Sequence, residues 1–212
     1  MSEKITYQTL TDLQKNEYGV FSSIEETYEF IKSNPKNQCG KNSIQWIGHY
    51  MEKLHTLAKE CNHVTEMGVN EVNSSWAFLN ARPKKLVCID ITFSKSYGKV
   101  GFGNHIWLES LKDLAKKENL NLELIEKSTL DIEIEETDLL FIDTLHTYNQ
   151  LKQELNLHAN KVKKYIVFHD TTLFPELNLA IKEFLEKNKE WFTYEVITSN
   201  PGLTIIKNTQ TV

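Results

Sequence analysis

A chain of 212 residues can bury one full core without disulfide or metal staples, and a composition 40% hydrophobic and 25% charged excludes disordered and fibrous classes. A formal charge of -5 and an isoelectric point near 5.8 leave no basic excess for phosphate neutralisation, so nucleic acid is not the expected partner. The cysteines, Cys39, Cys61 and Cys88, are odd in number and widely spaced, which fits a reducing, cytoplasmic compartment, and no run of about 18 apolar residues or apolar leader suggests a membrane or export.

Residues 1–61 read as helical and are expected to form a cap or extension on the domain that follows. Ser23 with Glu26 three residues on is a capping-box signature, and the helix it opens, Ile24 to Ile31, must stop by Asn34-Pro35. Next, Ile44, Ile47, Met51, Leu54 and Ala58 recur at spacings of three and four. That periodicity predicts a second, longer helix whose apolar face suits the main domain or a homodimer contact.

Residues 62–212 change character. Short apolar runs at Val64 to Met67, Leu86 to Ile91, Leu122 to Ile125, Leu139 to Ile142 and Tyr165 to Phe168 read as buried strands. Helical patterns alternate with them at about Ser74 to Leu79, His105 to Lys117, Tyr148 to Asn160 and Leu177 to Lys187. The alternation predicts a Rossmann-like α/β domain, five parallel strands with helices on both faces. The last two runs, Phe192 to Ile197 and Leu203 to Ile206, are joined only by Thr198-Ser199-Asn200-Pro201-Gly202, which predicts a C-terminal antiparallel hairpin. The glycine-bearing stretch Phe93 to Asn104 lacks the G-K-[ST] ending of a phosphate loop and reads as a lid, from which Tyr97 or His105 would reach substrate. Trp46, Trp76, Trp107 and Trp191 read as core.

In such a sheet, ligands bind beyond the C-terminal strand ends. The first strand ends in Glu66-Met67-Gly68-Val69-Asn70, where Gly68 permits a sharp turn and Ser74 opens the following helix. The second ends in Asp90, about twenty residues after the glycine, the spacing at which a carboxylate accepts both hydroxyls of a ribose. A nucleoside cofactor is therefore expected. Asp143 and the pair His169-Asp170 close the fourth and fifth strands.

The runs Val64-Thr65-Glu66-Met67-Gly68, Phe141-Ile142-Asp143-Thr144-Leu145-His146-Thr147-Tyr148 and Ile166-Val167-Phe168-His169-Asp170-Thr171 together resemble class I S-adenosylmethionine (SAM) dependent methyltransferases, in the branch of metal-dependent O-methyltransferases and cephalosporin-hydroxylase-like proteins. The resemblance covers roughly Val64 to Lys207. It implies SAM held by Glu66, Gly68, Asn70, Ser74 and Asp90, with Lys127, Ser128 and Thr129 in the loop after the third strand at the adenine, Ser128 foremost. It also implies a divalent cation, Mg²⁺ or Mn²⁺, on Asp143, His169 and Asp170, activating a hydroxyl of a small sugar or phenolic substrate. His146, within a helical turn of Asp143, would take the hydroxyl proton, or else cap the next helix. The chain departs from the family at Val72, where many members carry a second glycine. Two other readings remain open at this point: an oxidoreductase of NAD or metal-dependent hydroxylase type, and a non-catalytic Rossmann-like module.

Overall fold

The structure, a computed structural model, describes residues 22–33, 47–70, 72–93, 103–199 and 201–211. Helix α1 (Ile24–Ser33) begins where the capping box predicts, with the Glu26 N–H donating to Ser23 Oγ at 3.2 Å. Its periodic face, Ile24, Thr27, Tyr28 and Ile31, is buried. The second predicted helix is divided: a 3₁₀ turn, Ile47–Tyr50, leads into α2 (Met51–Lys59). Ile44 and Trp46 lie outside the described residues.

The strands are β1 (His63–Met67), β2 (Lys85–Asp90), β3 (Leu122–Glu126), β4 (Thr137–Ile142), β5 (Val162–His169), β6 (Trp191–Ile197) and β7 (Leu203–Asn208). They form one sheet in the order β3-β2-β1-β4-β5-β7-β6. The first five run parallel as expected, with β1, β2, β4 and β5 largely buried; β3 lies at the sheet edge and is only partly covered, not the buried strand that the run Leu122 to Ile125 suggested. The hairpin is antiparallel, but its second strand is the one that joins the sheet: β7 pairs with β5 and leaves β6 at the edge. This insertion separates the fold from the all-parallel arrangement of dinucleotide-binding dehydrogenases.

The core lies on both faces. Helices α1, α2, α3 (Asn73–Asn80) and α4 (Gly103–Lys117) bury Ile24, Met51, Trp76 and Leu111 against Val64, Phe141 and Val167 on one side. On the other, α5 (Tyr148–His158) and α6 (Glu176–Lys187) bury Leu151, Leu155 and Ile181 against Leu140, Ile166 and Phe168. The N-terminal helices thus share one continuous core with the sheet. Trp76, Trp107 and Trp191 are buried, as read from the sequence. Among the described residues no helix is long and apolar enough to cross a membrane.

Strand register fixes the site. Met67 lies opposite Ile89 and Ile142, and Ile142 opposite Phe168. The next residues along those adjacent parallel strands are Gly68, Asp90, Asp143 and His169, so the four leave the sheet along one rim. The second strand stops at Asp90, one residue earlier than the apolar run suggests, and leaves Ile91 60% exposed at that rim.

Candidate active site

A cleft of about 640 Å³ opens along this rim. Of the residues singled out in the sequence, Gly68, Asn70, Ser74, Asp90, Ser128, Asp143, His146, His169 and Asp170 all line it. Glu66 does not. It is completely buried, and its carboxylate accepts hydrogen bonds from Ser74 Oγ, from Ser75 Oγ at 2.6 Å and from the Cys88 thiol at 3.2 Å. Burial raises its pKa to about 7, against the three donors, which lower it. Its role is corrected from ligand contact to latch: it ties β1 to the first turn of α3, and Ser74 spends its hydroxyl hydrogen on this bond.

Gly68 earns its place through a close approach between strands. Its φ is +80°, and a Cβ there would lie 1.9 Å from the Asp143 carbonyl oxygen. The turn after β1 is therefore packed directly on the first residue after β4. The following loop continues in left-handed conformation, with Asn70 at φ 42° and Val72 at φ 56°. Asp90 holds this loop: Oδ2 accepts the N–H groups of Val69 at 2.7 Å and Asn70 at 3.0 Å, and Oδ1 accepts Thr92 N–H at 3.1 Å. The expected ribose acceptor is thus also the clamp of the glycine turn, with three of its four acceptor sites used and one lone pair left on Oδ1. Ser128 Oγ accepts the Leu130 N–H at 3.2 Å, closing the turn after β3.

At the other end, Asp143, His169 and Asp170 each offer one ligand atom, all within 4.8 Å of one another. His169 is 5% exposed. Its Nδ1 lies 3.2 Å from Asp143 Oδ2 and 3.5 Å from Asp170 Oδ1, yet neither ring nitrogen makes a well-directed hydrogen bond among the described residues. A buried imidazole without such a bond, flanked by two carboxylates, is the arrangement expected of metal ligands, because a cation would satisfy all three groups. Tyr50 packs edge-on to this ring at 5.6 Å and fixes the hairpin turn, donating to Ser199 O and accepting from Gly202 N–H.

His146 Nε2 stands 3.1 Å from Asp143 Oδ1 and 2.9 Å from Asp170 Oδ2, and its ring stacks on Phe174 with centroids 4.5 Å apart. Burial would lower its pKa, but the two carboxylates outweigh this and raise it to about 10. Burial likewise pushes Asp143 up, and the two imidazoles override it, holding the carboxyl well below its usual range. The helix cap weighed for His146 falls instead to Thr147, whose Oγ accepts the Gln150 N–H. Tyr148 is tied locally to Glu183 and Lys152. Tyr97 lies outside the described residues, as does the side chain of His105.

Sequence reasoning named Thr129 only as a possible adenine contact and passed over Thr144, Gln150 and the buried Glu154, with which it forms one hydrogen-bonded cluster along this wall. The signal available was Glu154 itself, an acid within the apolar stripe of α5 between Leu151 and Leu155.

Many solved structures share the fold, among them three methyltransferases. The O-methyltransferase NovP aligns with a TM-score of 0.58 and 16% identity, over 85% of this chain and 88% of that one. The O-methyltransferase TomG from Streptomyces achromogenes, in complex with SAM and involved in tomaymycin synthesis, gives 0.55 and 15%, over 84% and 87%. The SAH-bound methyltransferase PaMTH1 from Podospora anserina gives 0.53 and 15%, over 98% and 99%. At such identities the likeness establishes the fold, and the fold is that of the class I SAM-dependent methyltransferases. No protein-family profile matches the sequence, and no curated protein sequence does.

Proposed function

We propose that this chain is a SAM-dependent O-methyltransferase that methylates a hydroxyl of a small molecule with the help of a divalent cation. The observation that carries the reading is the direct packing of Gly68 against the Asp143 backbone, which joins a nucleoside-type turn to a cluster of metal-ligand character within one cleft. Asp143, His169 and Asp170 would hold the cation. An imidazole among the donors favours Mn²⁺ or Fe²⁺ over Mg²⁺. The cation, when bound, lowers the pKa of a substrate hydroxyl, and SAM supplies the methyl group.

The chain's own residues do the rest. The Gly68 turn and Asp90 position the cofactor, while Ile91, Leu145 and Leu173 give the same cleft an apolar lining. His146 Nε2 is the site that takes up the hydroxyl proton. A cation held by Asp143 and Asp170 would offset the carboxylate charge that keeps His146 protonated, and would leave Nε2 as the atom placed to accept that proton.

Calorimetric titration with S-adenosylhomocysteine (SAH), NAD and Mn²⁺ tests the reading. SAH and Mn²⁺ should bind and NAD should not. Asp143→Asn and Asp170→Asn should lose Mn²⁺ binding and keep SAH binding; NAD binding in place of SAH, or Mn²⁺ affinity unaltered in both variants, would refute it.

A further inference from the structure

Behind the cleft, Glu154 on α5 is fully buried, and its carboxylate accepts from Thr129 Oγ1 at 2.6 Å, from Thr144 Oγ1 at 2.8 Å and from Gln150 Nε2 at 2.9 Å. Gln150 Nε2 also lies 3.2 Å from Thr129 Oγ1. The hydroxyl hydrogen of Thr129 is spent on Glu154, so toward Gln150 this oxygen can only accept. A reversed carboxamide would set its carbonyl oxygen against a carboxylate oxygen and against a hydroxyl with no hydrogen to give. The orientation of Gln150 is therefore fixed. Both Nε2 hydrogens are consumed, and Oε1, which accepts no hydrogen bond among the described residues, remains for the cleft that Gln150 lines.

The rim order says what meets this oxygen. The cation cluster sits at the ends of β4 and β5, and the donor's reactive sulfur must lie beside it. A nucleoside cofactor extending from there over Gly68 and Asp90 carries its base toward the turn after β3, where Ser128 and Thr129 stand beside Gln150. We propose that Gln150 Oε1 selects the nucleobase, accepting a hydrogen from the 6-amino group of adenine and rejecting a 6-oxo purine. Glu154 and Thr129 are positioning residues that hold the carboxamide in this orientation. The inference rests on the reading of the cleft as an adenosyl-cofactor site. A 6-oxo base turns a carbonyl oxygen toward Oε1, leaving two acceptors face to face, the kind of mismatch that a polar site rejects most strongly.

The test is calorimetry of SAH and its deaminated analogue S-inosylhomocysteine, with the wild type, Gln150→Met and Thr129→Val. The wild type should prefer SAH by about tenfold or more; Gln150→Met should bring the ratio of affinities close to one, chiefly by weakening SAH. Both ligands are measured on the same protein, so a partly unfolded variant does not distort the ratio. Thr129→Val, which frees the carboxamide to rotate, should lower the ratio partway. SAH bound by the wild type, with an unchanged ratio in Gln150→Met, overturns the assignment of Gln150 alone. If Gln150→Met fails to fold, an unchanged ratio in Thr129→Val overturns it as well. No SAH binding by the wild type sinks the cofactor reading and this inference with it.

Discussion

Replacing Glu66 by Gln should change how stability depends on pH more than it changes stability itself. In the folded chain the carboxyl is fully buried and its pKa is raised from 4.5 to about 7, with burial the largest cause. In the unfolded chain it titrates at the ordinary value. A raised folded pKa means that the stabilising protonated form is fully available below the unfolded value and is lost as pH climbs through the folded one. The complete loss is about 3 kcal/mol, most of which falls between about pH 5 and about pH 8. Gln keeps the shape and a carbonyl acceptor for Ser74 or Ser75 but cannot ionise. Urea unfolding at these two pH values, extrapolated linearly, should show the wild type losing about 2–3 kcal/mol more than Glu66→Gln. Parallel curves for the two proteins would mean that the carboxyl ionises in the folded state as easily as in water, and the latch at the base of the glycine turn would be wrongly drawn.

Two further substitutions examine the turn itself. Gly68→Ala places a methyl 1.9 Å from the Asp143 carbonyl oxygen at a φ of +80°, so it should cost about 2–5 kcal/mol by strain and overpacking together, read as a fall in the urea midpoint; an unchanged midpoint would mean the strands part without cost. Asp90→Ala releases the Val69 and Asn70 N–H groups and should lower stability by about 1–3 kcal/mol as well as weaken SAH binding. A loss of SAH affinity at full stability would show that Asp90 serves the ligand and not the loop.

The sheet was legible because its strands are short apolar runs ending in residues of a different kind. Val64 to Met67 ends at Gly68, Leu86 to Ile89 at Asp90, and Leu139 to Ile142 at Asp143, and register turns those endings into one rim. What sequence could not give is the direction of each side chain there. Along a strand buried on both faces, as β1 is from Val64 to Met67, no alternation of polarity tells whether Glu66 faces the cleft or the core. Glu154 was hidden for a related reason. Gln150 lies one turn away on α5 itself, but Thr129 and Thr144 come from other segments and meet it only once the turns after β3 and β4 lie side by side. Tyr50 belongs to the same class, since its contacts with His169, Ser199 and Gly202 span more than a hundred residues of chain.

Val72 bears most directly on whether the site still works, because a missing glycine is the strongest sequence argument for a lapsed cofactor loop. In the structure Val72 adopts φ 56°, the left-handed conformation that a glycine would take without strain. Holding a β-branched residue there costs about 1–2 kcal/mol. The side chain is 1% exposed and packs in the core with Trp76 and Val69, and full burial of a valine contributes about 1.5–3 kcal/mol. Burial therefore offsets the strain, and the chain keeps the turn while changing the residue that makes it. The Val72 N–H still donates to Val69 O, α3 still starts at Asn73, and Asn73 and Ser74 still line the cleft. Valine in place of glycine is thus compatible with a left-handed turn here, so the missing glycine is not by itself a ground for reading the cleft as a relic.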